Sequence, residues 1–263
     1  MKVFAILAVV LLVVSGIRVT IDQFGAVKSK DYLGVHLINQ KALYAAIAAV
    51  NASTDTIREV VIPKGNYYSL PVQTLYVDNL TLIVLGKFAA SKNCLHWDDI
   101  TPGEKMHFLT FQYCNHLDVR GGGTIDGRGY HWWIIFMLGM QRYLDYNSSR
   151  PHLVWVNRCI NVSFHDITLK NSAQYHLKLD EVLNGTIYNM NIKVNTTAQV
   201  NLLKSFSLVG IMPMYAYNTD GVDPHGSNFH IYNLTVQNWD DVVVPKPGTR
   251  GNLNGDCTNN MVV

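Results

Sequence analysis

The sequence predicts an all-β protein in which short parallel strands stack as a solenoid after one N-terminal helix. Three segments share the form Asn-x-x-apolar-x-x-apolar-x-apolar, and they begin at Asn161, Asn184 and Asn228. From Glu59 onward, short β-rich runs are broken by Gly, Asn and Asp, and they predict no further helix. Repeats of this size bury their apolar faces only by stacking on one another, which favours a solenoid over a β-sandwich with Asn in its turns.

The spacing of the repeats leaves one point open. Asn161 and Asn184 are about one coil apart, whereas Asn184 and Asn228 are about twice as far apart. The longer gap indicates either two coils or one coil with an insertion around residues 195–217. In stacked coils like residues align, so we expect the Asn side chains to form a hydrogen-bonded ladder that faces inward.

The N-terminus predicts a secretory signal over residues 1–16. Lys2 precedes a continuous apolar run at residues 3–14, and Ser15-Gly16 supplies small residues for cleavage. A membrane anchor is the alternative, but this run is shorter than the roughly twenty residues that a span needs. We therefore expect a secreted protein without a membrane segment after cleavage, and one domain over residues 17–263.

One helix is predicted before the first coil. Apolar residues recur at helical spacing over residues 39–50, and Asn39 is a suitable N-cap at its start.

Composition excludes several classes of protein. Apolar residues make up 48% and charged residues 15% of the chain, which is incompatible with broad disorder. The formal net charge is +2 and no basic run is present, so we expect no nucleic-acid partner. Neither Cys-x-x-Cys nor His-x-x-x-His occurs, and we expect no structural metal.

Cysteines and sequons are typical of an extracellular protein. The four cysteines allow two disulfides in three connectivities, or they are buried thiols. Asn-x-Ser/Thr sequons indicate a glycoprotein. The cysteines are Cys94, Cys114, Cys159 and Cys257, and the sequons begin at Asn51, Asn79, Asn147, Asn161, Asn184, Asn195 and Asn233.

Acidic residues recur near the C-terminus at the spacing of one coil. Asn218-Thr219-Asp220-Gly221-Val222-Asp223 is followed about twenty residues later by Asp240-Asp241. Stacking would bring these carboxyl groups face to face, as acid/base cleavage of a glycosidic bond requires. A pair of solvated turns is the alternative interpretation.

Together with three other segments, these motifs resemble glycoside hydrolase family 28, the polygalacturonases. The other segments are residues 61–67, residues 123–129 and Arg150-Pro151. The resemblance implies a right-handed parallel β-helix of the pectin-lyase type, closed by the N-terminal helix. It also implies hydrolysis of α-1,4-galacturonosidic bonds in pectin, with inversion. We expect a monomer that uses no cofactor.

The resemblance implies a role for each acidic residue. Asp240 would protonate the leaving oxygen, and Asp220 and Asp241 would activate the attacking water. Inversion calls for carboxyl groups roughly 6.5–9.5 Å apart, and mutual repulsion is expected to raise at least one pKa. The positions implied for substrate binding are Asn218, Asp223, Lys246 and His176.

The chain departs from the family pattern in two ways that bear on function. Trp239 and Val242 flank the acidic pair where the family has a small Gly and often Cys. The family's later Gly-His-Gly and Arg-x-Lys segments are absent, so we expect an N-terminal portion of an enzyme, lacking C-terminal coils and impaired in activity. The alternatives are a non-catalytic solenoid that binds acidic polysaccharide and a calcium-dependent pectate lyase.

Overall fold

The chain forms a parallel β-helix, as the repeats predicted. The computed structural model describes residues 15–140, 150–205, 207–208, 215–247 and 258–263. Its strands are β1 Gly16–Thr20, β2 Ile57–Ile62, β3 Asn66–Ser69, β4 Val72–Leu75, β5 Asp78–Val84, β6 Lys87–Ala90, β7 Asp99–Thr101, β8 Glu104–Lys105, β9 Leu109–Gln112, β10 Asn115–Arg120, β11 Thr124–Asp126, β12 Val154–Asn157, β13 Ile160–Lys170, β14 Leu177–Lys193, β15 Val222–Gln237 and β16 Asn259–Val262. Its helices are α1 Leu33–Asn51, α2 Tyr130–Met137 and α3 Thr197–Ser205.

The strands line three faces. The first face stacks β4, β9, β12 and the beginnings of β14 and β15. The second stacks β1, β2, β5, β10, the middle parts of the long strands and β16. The third stacks β3, β6, β11 and the ends of β13, β14 and β15. All these pairings are parallel; β7 and β8 form a separate antiparallel pair.

The long gap between repeats is one coil with an insertion. The Asn228 side chain donates a hydrogen bond directly to that of Asn184, and Gly185 pairs with Phe229. Helix α3 lies within the inserted residues. The Phe229 ring fills the space where Gly185 lacks a side chain, so a Cβ there would collide with the ring.

The core is a stack of apolar side chains inside the coil. One row on the second face consists of Leu82, Val119, Phe164, Ile187 and Ile231, which are paired across successive strands. Each is at most 1% exposed. Burying one such side chain contributes about 2 kcal/mol, which explains why each coil depends on its neighbours for stability.

The Asn ladder exists, but it lies outside the coil. Asn184 donates to Asn161 at 3.0 Å, Asn228 donates to Asn184 at 2.9 Å, and Asn260 donates to Asn228 at 2.6 Å. The prediction that these side chains face inward was wrong. Each sits at a turn with positive φ, +61° at Asn184, where Asn is one of the few residues tolerated and its side chain points outward.

Asn184→Ala is expected to lower the free energy of unfolding by about 2 kcal/mol, because it removes two ladder hydrogen bonds and strains a left-handed residue. Asn184→Gly removes the same bonds but tolerates the conformation, so a smaller loss of about 1 kcal/mol is expected. Urea denaturation of both variants measures the difference. Equal losses would contradict the contribution assigned to backbone strain.

Helix α1 begins earlier than predicted and does not use Asn39 as its cap. It starts at Leu33, and the Asn39 side chain is fully buried one and a half turns later. That side chain accepts from the Val27 amide at 2.7 Å and donates to the carbonyl oxygens of Val27 and Tyr68. Although α1 is long and apolar enough to be a candidate membrane span, half of its apolar window is buried within the protein.

The expectation of no further helix was also wrong. Helix α2 buries Trp132 and Trp133, and Trp132 packs edge-on against Trp97 at 5.4 Å. Its near-continuous aromatic and apolar run lacks the alternation with polar residues by which a helix is recognised. Helix α3 packs against α2 in the inserted segment.

The described cysteines are buried thiols. Cys94, Cys114 and Cys159 carry no disulfide, and the Cys114 amide donates to the Cys159 sulfur at 3.2 Å from the adjacent coil. Cys257, the sequon at Asn147 and residues 1–14 of the predicted signal lie outside the described residues.

Candidate active site

Two consecutive coils bring the predicted carboxylates together at the first face. The Gly221 amide donates to the Asp241 carbonyl at 2.9 Å, and the Val222 amide donates to that of Val242 at 3.0 Å. A Cβ at Gly221 would collide with the Val242 carbonyl oxygen, so only glycine permits this approach. The two acidic motifs are thus stacked directly upon each other.

One carboxylate oxygen from each of Asp220, Asp240 and Asp241 lies within 4.8 Å of the other two. Asp220 is buried, whereas Asp240 and Asp241 are exposed. Three such oxygens could also contact one cation.

Lys246 neutralises the buried side of the cluster. Its Nζ lies 3.3 Å from Asp220 Oδ2 and 2.9 Å from Asp223 Oδ1, and 4.5 Å from the centre of the Tyr175 ring. Lys246 is held in place because its amide donates to the Pro224 carbonyl at 2.9 Å. Its ammonium group is therefore engaged by the protein, and its contact with a substrate carboxylate stays a prediction.

Burial changes the pKa values of Asp220 and Asp223 more than repulsion between carboxylates does. Burial raises the pKa of Asp223 to about 7, with Asp220 adding to the rise and Lys246 opposing it. Burial likewise raises the pKa of Asp220, and the charge of Asp240 contributes. A raised pKa in the cluster was predicted, but repulsion is the smaller cause.

Asp223 has no exposed surface. The predicted contact between Asp223 and a substrate is thus contradicted, because the side chain points beneath the cluster toward Lys246. Its place in the strand explains this, since Asp223 pairs with Lys178 on β14 and is covered by Lys246 from the next coil.

Backbone amides fix the Asp240 carboxylate. The Asn218 amide donates to Oδ2 at 3.1 Å, and the Asp241 amide donates to Oδ1 at 3.0 Å. Asn218 itself has a φ of +53° and accepts from Arg150 Nη2 at 3.2 Å through its side chain. Asn218 therefore lies beside Asp240 and positions it with its backbone amide, and its contact with a substrate stays a prediction.

Two positioning residues were missed by the sequence reasoning. Arg150 is buried and also donates to the Tyr217 carbonyl, which anchors the segment leading to Asn218. The Asn238 side chain donates to the carbonyls of Thr219 and Asp241 at 3.0 and 2.7 Å and so ties the two acidic motifs together. Arg150 could have been found from the sequence, because it belongs to the Arg150-Pro151 segment that resembles the family. Asn238 could not, because an amide two residues before an acidic pair is not a recognisable pattern.

His176 does not face the groove. It is fully buried, its Nδ1 donates to the Asp220 carbonyl at 3.0 Å, and its Nε2 accepts from the Ser172 amide at 3.3 Å. The predicted contact with substrate is contradicted, because both ring nitrogens already have backbone partners. Instead, His176 supports the strand that carries Asp220.

Buried neutral histidines make the fold sensitive to acid. Burial lowers the pKa of His176 to about 4 and that of His107 to about 3, and it lowers that of His152 well below its usual range. An unfolded chain takes up protons near pH 6.5 while these histidines do not, so stability is lost as the pH falls from about 6.5 toward 4.

His176→Gln is therefore expected to lose less stability than the wild type when the pH drops from 7.5 to 5, because Gln retains a donor and an acceptor but does not titrate. The difference is on the order of 2 kcal/mol. Thermal unfolding at the two pH values measures it. A variant as acid-sensitive as the wild type would show that His176 is protonated in the folded state.

Comparison with known proteins places these observations in a family. The family model described as "Glycosyl hydrolases family 28" matches residues 52–260. Polygalacturonase QRT2 of Arabidopsis thaliana is 26% identical over 212 residues, which cover 78% of this chain and 42% of that protein. An endo-polygalacturonase of Pectobacterium carotovorum subsp. carotovorum is 26% identical over 53% of this chain and 32% of its own length.

Solved structures share the fold. An exopolygalacturonase from Thermotoga maritima superimposes with a TM-score of 0.66 at 17% identity, covering 88% of this chain and 54% of that one. An endo-xylogalacturonan hydrolase from Aspergillus tubingensis gives 0.62 at 20% identity, covering 85% and 52%. The chain thus spans about half of these structures and less than half of the two sequence relatives.

Proposed function

Because the chain belongs to glycoside hydrolase family 28, we propose that it hydrolyses α-1,4-galacturonosidic bonds in a secreted, pectin-degrading role. One observation carries the proposal: Asp220, Asp240 and Asp241 converge within 4.8 Å from two stacked coils. The polygalacturonase names of its relatives support a galacturonate polymer as the substrate.

Asp240 is the general acid in this proposal. It is exposed, and the amides of Asn218 and Asp241 hold its carboxylate in one orientation, from which it would protonate the leaving oxygen. Positioned proton transfer contributes typically 10²–10⁴-fold to the rate.

Asp220 and Asp241 hold the attacking water. Lys246 supports this role, because its ammonium favours the ionised form of Asp220 against burial. The separation of the carboxyl groups that inversion calls for stays a prediction.

The products test this proposal. The 263-residue chain, and any longer natural chain that contains it, is incubated with polygalacturonate, with and without a calcium chelator. We expect new reducing ends, no ultraviolet absorbance from a double bond, no effect of chelation, and inverted anomers in the first products seen by NMR.

Each other result identifies a different activity. Unsaturated products lost on chelation would indicate a calcium-dependent lyase, and retained anomers would exclude the inverting step. Binding of oligogalacturonate without turnover, by both chains, would indicate a non-catalytic solenoid.

A further inference from the structure

Three aromatic side chains are exposed beside the acid. Tyr215, Tyr217 and Trp239 are 40%, 43% and 44% exposed, whereas Trp97, Trp132 and Trp133 are buried in the core. Each exposed ring leaves apolar area in water, and three of them together beside a candidate active site offer an apolar surface to a ligand.

The three rings form one cluster. The ring of Tyr215 contacts that of Trp239 edge-on, with centroids 5.7 Å apart, and lies 5.1 Å from that of Tyr217. We call Tyr215, Tyr217 and Trp239 the aromatic platform. Its members come from two successive coils, so the platform exists only because those coils stack.

The backbone on both sides of the platform is fixed. The Trp239 amide donates to Thr219 Oγ1 at 3.1 Å, and the Tyr217 carbonyl accepts from buried Arg150 at 2.5 Å. The rings of Trp239 and Tyr217 are thus presented on anchored backbone, so little ordering of these two residues is needed when a ligand binds.

The platform adjoins the proposed acid. Trp239 immediately precedes Asp240, and Tyr217 immediately precedes Asn218, whose amide holds the Asp240 carboxylate. The backbone that carries Tyr217 and Trp239 thus also holds the Asp240 carboxylate, so one saccharide chain can reach both the rings and the acid. Sugar rings carry faces of C–H groups, and such faces pack on aromatic rings with little loss of their hydroxyl hydration.

We propose that the aromatic platform is a sugar-stacking subsite that binds one ring of the polysaccharide next to the bond cleaved at Asp240. The identity of the polymer rests on the function proposed above; the stacking contact does not. Because stacking uses apolar surface and not charge, its contribution is expected to change little between low and high salt.

Equilibrium binding tests the subsite without turnover. Short oligogalacturonates are titrated into the 263-residue chain carrying Asp240→Asn, and tryptophan fluorescence and heat are recorded at two salt concentrations. Added to this background, Trp239→Ala is expected to weaken binding about ten-fold, which corresponds to about 1.4 kcal/mol. Trp239→Phe retains a ring and is expected to lose less than about three-fold.

A matched control separates the subsite from general apolar contact. Tyr76 is 67% exposed and stacked on Tyr113, on the first coils of the solenoid. Tyr76→Ala is expected to leave affinity unchanged. The proposal is overturned if Trp239→Ala binds as tightly as its parent, if Tyr76→Ala loses as much, or if the parent does not bind.

These outcomes are distinct from failure of the proposed function. Hydrolysis is judged by reducing ends with Asp240 intact, whereas the platform is judged by affinity with Asp240 replaced. A chain that binds oligogalacturonate but never cleaves it would refute the proposed hydrolase activity and would not refute the proposed subsite.

Discussion

Asp240→Asn is expected to lower the kcat for pectin hydrolysis by about a thousand-fold while the KM changes by less than about three-fold. The side-chain amide of Asn has nearly the same shape as the carboxyl group, and its oxygen still accepts a hydrogen bond from one of the two backbone amides that hold Asp240. It cannot donate a proton to the leaving oxygen. The loss therefore falls on the transition state and not on binding.

Release of reducing ends from polygalacturonate, measured over a range of substrate concentrations, separates kcat from KM. Asp98→Asn is the matched control, because Asp98 is also an exposed carboxyl group but lies in the early coils. Its rate is expected to equal that of the wild type. Activity of Asp240→Asn within ten-fold of the wild type would remove Asp240 from the role of acid.

Lys246→Met is expected to lower the free energy of unfolding by about 3 kcal/mol at pH 8. Lys246 is the cation that contacts both Asp220 and Asp223 among the described residues, and Asp223 is completely buried. Removing the cation leaves a buried carboxylate that must either remain unpaired or take up a proton, and both cost free energy.

The pH dependence of this effect has a definite sign. The pKa of Asp223 is raised to about 7 in the folded protein. Well below pH 7 the carboxyl group is largely protonated and needs no cation, so the cost of Lys246→Met is smaller at pH 5 than at pH 8. Urea denaturation at both pH values measures it.

A double variant and a matched lysine complete the test. Lys246→Met combined with Asp223→Asn is expected to recover part of the lost stability, because the fully buried Asp223 side chain then carries no charge and only Asp220 still lacks its cation. Lys178 has the same side-chain exposure as Lys246, 24%, but its partner Asp180 also accepts from Trp155. Lys178→Met is expected to cost about 1 kcal/mol. Equal costs for both lysines would contradict a special role for Lys246.

The fold class and the location of the acidic cluster follow from the amino-acid sequence alone. Repeats beginning at Asn161, Asn184 and Asn228 predict a solenoid, because each coil must stack to bury its apolar row. Asp220 and the Asp240-Asp241 pair are one coil apart in sequence, so any parallel stacking brings them together. These conclusions depend only on period and residue type, which the chain displays directly.

The directions of the side chains and their contacts depend instead on how the coils pack against one another. His176 and Asp223 were predicted to touch substrate, yet both are buried, because the coil that follows them supplies their neighbours. The Asn ladder lies outside the coil because its turns adopt positive φ. The aromatic platform joins Tyr215 to Trp239 across two coils. Each result depends on contacts between residues distant in sequence, and no local pattern specifies which face of a neighbouring coil a side chain meets.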